Sequence, residues 1–224
     1  GRLSGGKPLT VVNTHFHADH TLGNSAFEAV YISFLDAPLL RAFQYEERWN
    51  EFVGKAVDRS FFDDTDRIPF RPYEIREIAN HQIFDLGGCE IEAILMPGHS
   101  PGGMCFLDRR DRVLFSGDAL MDPFPTSFRA ALRPETPGRE YATVAAFRRE
   151  LANLVTRADE FDCLCDGHGV PNSDTRRVSD MLECAESVVQ APDSGFDLRE
   201  TARGAVKSKR YGIAAIDYRD DRVS

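Results

Sequence analysis

Thr14-His15-Phe16-His17-Ala18-Asp19-His20 sets three imidazoles and a carboxylate within six consecutive positions. Each of these side chains carries a polar group that must find a partner once buried, so packing alone does not account for so dense a group. The stretch reads as a set of metal ligands. The run before it, Leu9-Thr10-Val11-Val12-Asn13, reads as a buried strand, and an extended backbone sends His15 and His17 to the same side. Asp19 and His20, after a turn, would face a second ion.

The chain has six histidines, and the remaining three are His81, His99 and His168. His99 lies in Met96-Pro97-Gly98-His99-Ser100-Pro101-Gly102-Gly103, directly after the alternating run Ile91-Glu92-Ala93-Ile94-Leu95. His168 lies in Asp166-Gly167-His168-Gly169, directly after the apolar run Phe161 to Cys165, and Val113-Leu114-Phe115-Ser116-Gly117 delivers Asp118 into another turn. Four strand ends each present a metal-ligating side chain in a loop, which predicts one site assembled from four places. His81, outside any motif, reads as an exposed strand-edge residue.

The order of these motifs resembles that of the metallo-β-lactamase superfamily of hydrolases: a histidine-rich HxHxDH stretch, a later His, a later Asp after a strand, and a final His. The resemblance runs from about Leu9 to about Pro171. It implies an α+β fold, a four-layer αββα sandwich of two sheets between outer helices. It also implies that His15, His17 and His99 hold one ion, that Asp19, His20 and His168 hold the other, and that Asp118 bridges them. In that family a first set of strands precedes the histidine-rich stretch, whereas fourteen residues precede His15 here and Gly1 to Pro8 are loop-like. The expectation is a domain over residues 1–224 that is N-terminally incomplete.

A length of 224 residues with 42% hydrophobic residues supports one sizeable core and a single domain. The net charge of −9 opposes a nucleic-acid backbone or an anionic membrane as partner. The basic doublets Arg109/Arg110, Arg148/Arg149 and Arg176/Arg177 read as solvated faces. With no apolar run near the roughly 20 residues of a spanning helix and no signal peptide, the reading is a soluble chain. The five cysteines lack paired metal-ligand spacing and read as small buried hydrophobes in a reducing, cytoplasmic setting. A small-molecule substrate is the expected partner, and a homo-oligomer is compatible with everything above.

Between the motifs, Ala29 to Ser33 reads as a short strand. Asp36 reads as an N-cap with Pro38 in the first turn of a helix running towards Trp49 and Phe52, and the aromatics Phe43, Tyr45, Trp49 and Phe52 divide between core and pocket wall. Arg59 to Arg71 reads as a loop, and Met104 to Asp108 with Val113 to Gly117 as a hairpin. Met121 to Phe128 reads as a substrate-touching loop. Pro137 opens a helix whose apolar positions include Val144, Phe147, Leu151 and Leu154, and a second helix carries Val178, Met181, Ala185 and Val188 from a cap near Ser173 or Asp174. Tyr211 to Tyr218 reads as an edge strand, preceded by solvated Lys207, Lys209 and Arg210.

Imidazoles and carboxylates at this density suit two divalent ions, zinc first, with iron or manganese accepting the same ligands. Two ions about 3.5–4 Å apart can share a bridging hydroxide active near neutrality. Asp19 or Asp118 would carry a proton to the leaving group. By the resemblance, an acidic bridge at Asp118 points away from true β-lactamases and towards thioesterases, lactonases and phosphodiesterases. Met121, where acyl-homoserine lactonases usually have tyrosine, weakens the lactonase reading, and Gly169-Val170-Pro171 departs from glyoxalase II. The reading is therefore a metal-dependent hydrolase of a small ester, thioester or lactone. Its alternatives are a mononuclear iron redox enzyme like the persulfide dioxygenases, a phosphodiesterase of the same fold, and a non-catalytic module, which would come with eroded ligands.

Overall fold

A computed structural model describes residues 5–42, 49, 69–126, 136–201 and 204–224. After a single helical turn, α1 (Ala18–Thr21), the chain forms β1 (Ala29–Ser33), α2 (Ala37–Arg41), β2 (Glu74–Ile78), β3 (Ile83–Asp85), β4 (Glu90–Leu95), β5 (Met104–Asp108) and β6 (Val113–Gly117). There follow β7 (Phe124–Pro125), α3 (Val144–Val155), β8 (Cys163–Asp166), α4 (Arg176–Gln190), β9 (Asp197–Thr201), β10 (Gly204–Tyr211) and β11 (Ala214–Tyr218). Strands β1 and β2 pair in parallel, and a five-stranded sheet runs in the order β3-β4-β5-β6-β8. Its pairings are antiparallel up to β6, and β6–β8 is parallel.

The layering follows from side-chain alternation. Along β4 and β5, Ala93, Met104 and Phe106 join a core with Ile78 and Tyr31 of the β1–β2 pair, while Ile94, Cys105 and Leu107 join one with α3 and α4. Period-2 geometry thus gives the five-stranded sheet two apolar faces. On β1, Tyr31 faces that sheet, whereas Val30 and Ile32 pack with Ala37 and Leu40 of α2. The order α2, β1–β2, five-stranded sheet, α3–α4 is the expected four-layer α+β arrangement. The largest core is anchored by fully buried Phe147, which stacks on Phe124 with ring centroids 4.0 Å apart.

Several local readings are corrected. Leu9–Asn13 is not a buried strand: it forms one parallel bridge, Val12 to Tyr31, and Leu9 is 63% exposed. Two hydrogen bonds, Asn13 N to Tyr31 O and Tyr31 N to Val11 O, make that bridge and the ladder ends there. His81 lies in a turn at φ +62°, with Nδ1 2.8 Å from Glu92 Oε1. The helix expected from Pro137 starts at Val144, because Gly138 at φ +75° breaks the run and Thr143 caps it, accepting from Ala146 N. The tail is no edge strand. β11 is buried along its length and lies inside a third sheet, β7-β11-β10-β9, which packs on α4.

The basic residues are tied down more than their doublets suggested. Arg109 pairs with Glu92 and Glu160, Arg148 with Glu186, and Arg177 with Asp166. Lys209 is buried and donates to the carbonyls of Ser187 and Ala191, where the end of α4 favours a cation. Lys207 pairs with Asp193 and Asp220. Phe43, Tyr45, Phe52, Ser127, Phe128 and the segment 59–68 lie outside the described residues. Trp49 packs on Ala18 and Leu22, beside the turn that bears Asp19 and His20. All five cysteines are free thiols. No helix among the described residues is long and apolar enough to cross a membrane.

Candidate metal centre

Four loops converge at one end of the five-stranded sheet. His15 and His17 lie in the bend after the Val12 bridge, and α1 turns Asp19 and His20 to the adjoining side. His99 follows β4, Asp118 follows β6 and His168 follows β8. The seven side chains form two groups, His15, His17, His99 and Asp118 on one side and Asp19, His20 and His168 on the other, with the ligand atoms of each group within 4.8 Å of one another. Asp118 lies between them: its Oδ2 is 3.2 Å from His99 Nε2 and 3.4 Å from His168 Nε2, and its Oδ1 is 3.2 Å from His20 Nε2.

The hydrogen bonds behind these rings orient them. His99 Nδ1 is 2.8 Å from the carbonyl of Pro125, so its N–H is donated there and Nε2 presents a lone pair to the centre. His15 Nδ1 is 3.1 Å from Thr14 Oγ1, which turns Nε2 inward in the same way. Asn13 and Asn24 exchange side-chain amide bonds of 3.2 and 2.9 Å, and Asn13 also donates to the carbonyl of His20. Thr21 Oγ1 donates to the carbonyl of His17 at 2.9 Å. These contacts hold the histidine-rich bend closed.

Two glycines permit the close approach. A Cβ on Gly117, at φ +50°, would meet Thr14 at 2.6 Å, and one on Gly167 would lie 2.6 Å from Asp118 Oδ1 and 2.8 Å from His20 Cε1.

The electrostatics fit a cation. Burial, followed by the like charges of His99 and His20, pushes His15 well below the ordinary imidazole range and keeps it a neutral lone-pair donor. For Asp118, burial pushes upward, but the imidazoles of His20 and His99 outweigh it and hold the carboxyl far below the usual range. For His20, burial pulls down and the neighbouring Asp118 and Asp19 carboxylates raise it overall. His15 Nε2, His20 Nε2 and Asp118 Oδ1 are buried without a hydrogen bond of acceptable geometry, so the 3.2 Å approach of His20 to Asp118 counts as a charge contact only. Orphaned buried acceptors that converge are what a bound ion would satisfy. Nitrogen and carboxylate donors in this mixture suit zinc, iron or manganese.

The two sides differ in access. His15, His17, His99 and Asp118 are buried, whereas the His168 side chain is 44% exposed and that of Asp19 31%. A pocket of about 530 Å³ begins at His168 and is lined by Met121, Asp122, Val170, Asn172 and Arg177 among others. Sequence reasoning missed the residues behind the ligands: the Asn13–Asn24 pair, Asp36, Asp166 and Arg177. The single sequence signal at Asp36, an N-cap position, pointed to a different role.

The profile of the Metallo-beta-lactamase superfamily matches residues 2–152, a span that contains six of the seven convergent residues and stops before His168. The chain is 32% identical over 131 residues to acyl-coenzyme A thioesterase MBLAC2 of Gallus gallus, a match that covers 53% of this chain and 44% of that protein. It is 27% identical over 112 residues to the atrochrysone carboxyl ACP thioesterase of Aspergillus fumigatus, covering 50% of this chain and 27% of that one. Each match therefore spans less than half of the relative's length. Among solved structures, TTHA1623 in a di-iron-bound form is 26% identical, with a TM-score of 0.50, and covers 77% of this chain and 75% of that chain. With the profile matching more than half of its residues, and with the motif-bearing strand ends gathered into one cluster, the chain belongs to the metallo-beta-lactamase superfamily.

Proposed function

We propose that this chain is a hydrolase of acyl thioesters that works with two divalent cations. The observation that carries the reading is the convergence of seven donors into two adjoining groups around Asp118. The thioester is supported by the names of two relatives: acyl-coenzyme A and acyl carrier protein substrates both present an acyl group on the thiol of a pantetheine arm. The di-iron form of TTHA1623 supports a paired site and keeps iron beside zinc as the metal.

His15, His17 and His99 would hold one cation, and Asp19, His20 and His168 the other, with Asp118 shared. Bound there, the pair supplies Lewis acidity and lowers the pKa of a water towards neutrality. The chain's residues do the rest. Pro125 and Thr14 fix the ring orientation of His99 and His15. The half-exposed His168 and Asp19 define the open side by which an acyl group reaches the centre. As the C–S bond breaks, water contributes hydroxide to the acyl carbon and its proton passes to the leaving thiolate. Asp19, at the open edge, is the better placed of the two carboxylates to relay that proton.

The test is elemental analysis followed by a panel of acyl-coenzyme A thioesters, lactones, aryl esters and phosphodiesters. Two equivalents of metal with preferred thioester turnover support the proposal. One iron per chain with oxygen uptake would overturn it in favour of redox chemistry, and preferred phosphodiester turnover would overturn the substrate class.

A further inference from the structure

Asp36 is a buried carboxylate that the reaction does not use. It occupies the N-cap position of α2 but makes no capping bond. Its Oδ2 accepts from Phe16 N at 3.1 Å and from Ser100 Oγ at 2.8 Å, and its Oδ1 accepts from Gly102 N at 2.7 Å. Phe16 lies between His15 and His17, and Ser100 follows His99. One side chain therefore fastens the two loops that carry the more buried ligand group. No cation pairs with it among the described residues, and burial raises its pKa to about 6 against the pull of those three bonds. A fully buried carboxylate without a counter-charge is a costly way to begin a five-residue helix. It is the chemistry required where three donors converge and no N–H can be accommodated, because Asn would turn an amide N–H towards one of them.

The other ligand group has its own fastening. Asp166 Oδ1 accepts from His168 N at 3.1 Å, and Asp166 Oδ2 pairs with Arg177 Nη1 at 3.2 Å. The same Arg177 nitrogen donates to the carbonyl of Leu120 at 3.2 Å, two residues beyond Asp118. Helix α4 thus ties the Asp118 turn to the His168 loop.

We propose that Asp36 and the Arg177–Asp166 pair are positioning residues that set the two cation sites separately, Asp36 the His15/His17/His99 site and Arg177–Asp166 the His20/His168 site. This rests on the two-cation reading above. Metal removal yields chains whose zinc binding can be followed by competition with a chromophoric chelator, with His99→Ala and His168→Ala marking which binding step belongs to which site.

Asp36→Asn should weaken the step that His99→Ala abolishes by about 10–100-fold and leave the other step unchanged, and Asp166→Asn should do the converse. Asp36→Asn combined with His168→Ala should show its full effect at the step that remains, whereas combined with His99→Ala it should leave the surviving step at its His99→Ala value, a site-by-site separation that a general loss of stability would not produce. Ser100→Ala removes one of the three donors and provides the same readout, in smaller measure, if Asp36→Asn does not fold. Parental affinity at both steps, or equal weakening of both by each variant, would overturn the inference. A parent chain that binds no cation would refute the metal reading and this inference with it.

Discussion

Gly167→Ala tests the geometry of the centre with a single carbon. Gly167 is outside the left-handed region, so its backbone accepts a side chain, but the new Cβ would lie 2.6 Å from Asp118 Oδ1 and 2.8 Å from His20 Cε1. An ordinary contact begins near 3.4 Å, so the loop and these two ligands must separate by about 0.8 Å in total. That strain costs about 1–3 kcal/mol, which a folded domain tolerates. Metal–ligand distances accept only about 0.2 Å, and a displacement approaching 1 Å at a reacting centre costs about 100-fold in rate. The variant should therefore fold, lose part of its metal and fall about 100-fold in kcat/KM for its best thioester, followed by thiol release. Gly23→Ala is the control, since its Cβ would meet nothing within 4 Å. Parental metal content and turnover in Gly167→Ala would refute the reasoning.

Asp118→Ala should abolish turnover while far-ultraviolet circular dichroism stays parental, because the carboxylate lies between the two ligand groups and serves them more than the core; a variant as active as the parent would disprove the two-cation proposal. Phe147→Ala should lower the unfolding free energy by about 3–5 kcal/mol in urea, since the ring is wholly buried and stacked on Phe124. Burial raises the Asp36 carboxyl from 3.8 to about 6, against the hydrogen bonds from Ser100, Gly102 and Phe16. Between those values the folded chain keeps a proton that the unfolded chain has lost, so this contribution to stability is complete below the lower value and is lost as pH rises through the upper one. Compared with Asp36→Asn, the metal-free parent should lose about 3 kcal/mol between about pH 4 and pH 7; a difference that does not vary with pH would contradict the assigned burial.

The readings that survived are those in which the signal is local. Alternation in Ile91–Leu95 marked β4, the hairpin pattern around Arg109-Arg110-Asp111 marked β5 and β6, and the stripe Val178, Met181, Ala185, Val188 marked α4. The readings that changed depended on what lies across from a segment. Leu9–Asn13 has the composition of a buried strand, but only one bridge to Tyr31 forms and Leu9 faces solvent. Tyr211–Tyr218 was expected as an edge strand, yet its β11 portion pairs with β10 on one side and β7 on the other.

The sequence alone named the side chains that gather in the cluster, because four of them crowd into six positions and His99, Asp118 and His168 each follow a strand, and that grammar is written in neighbouring residues. Tertiary structure decided the distances between them and the identity of the residues that hold them. Asp36 finds Ser100 and Gly102 across 64 and 66 residues of chain, and Arg177 finds Leu120 across 57. A buried polar group takes whichever donors the packed loops bring to it, and no periodicity along the chain encodes that choice.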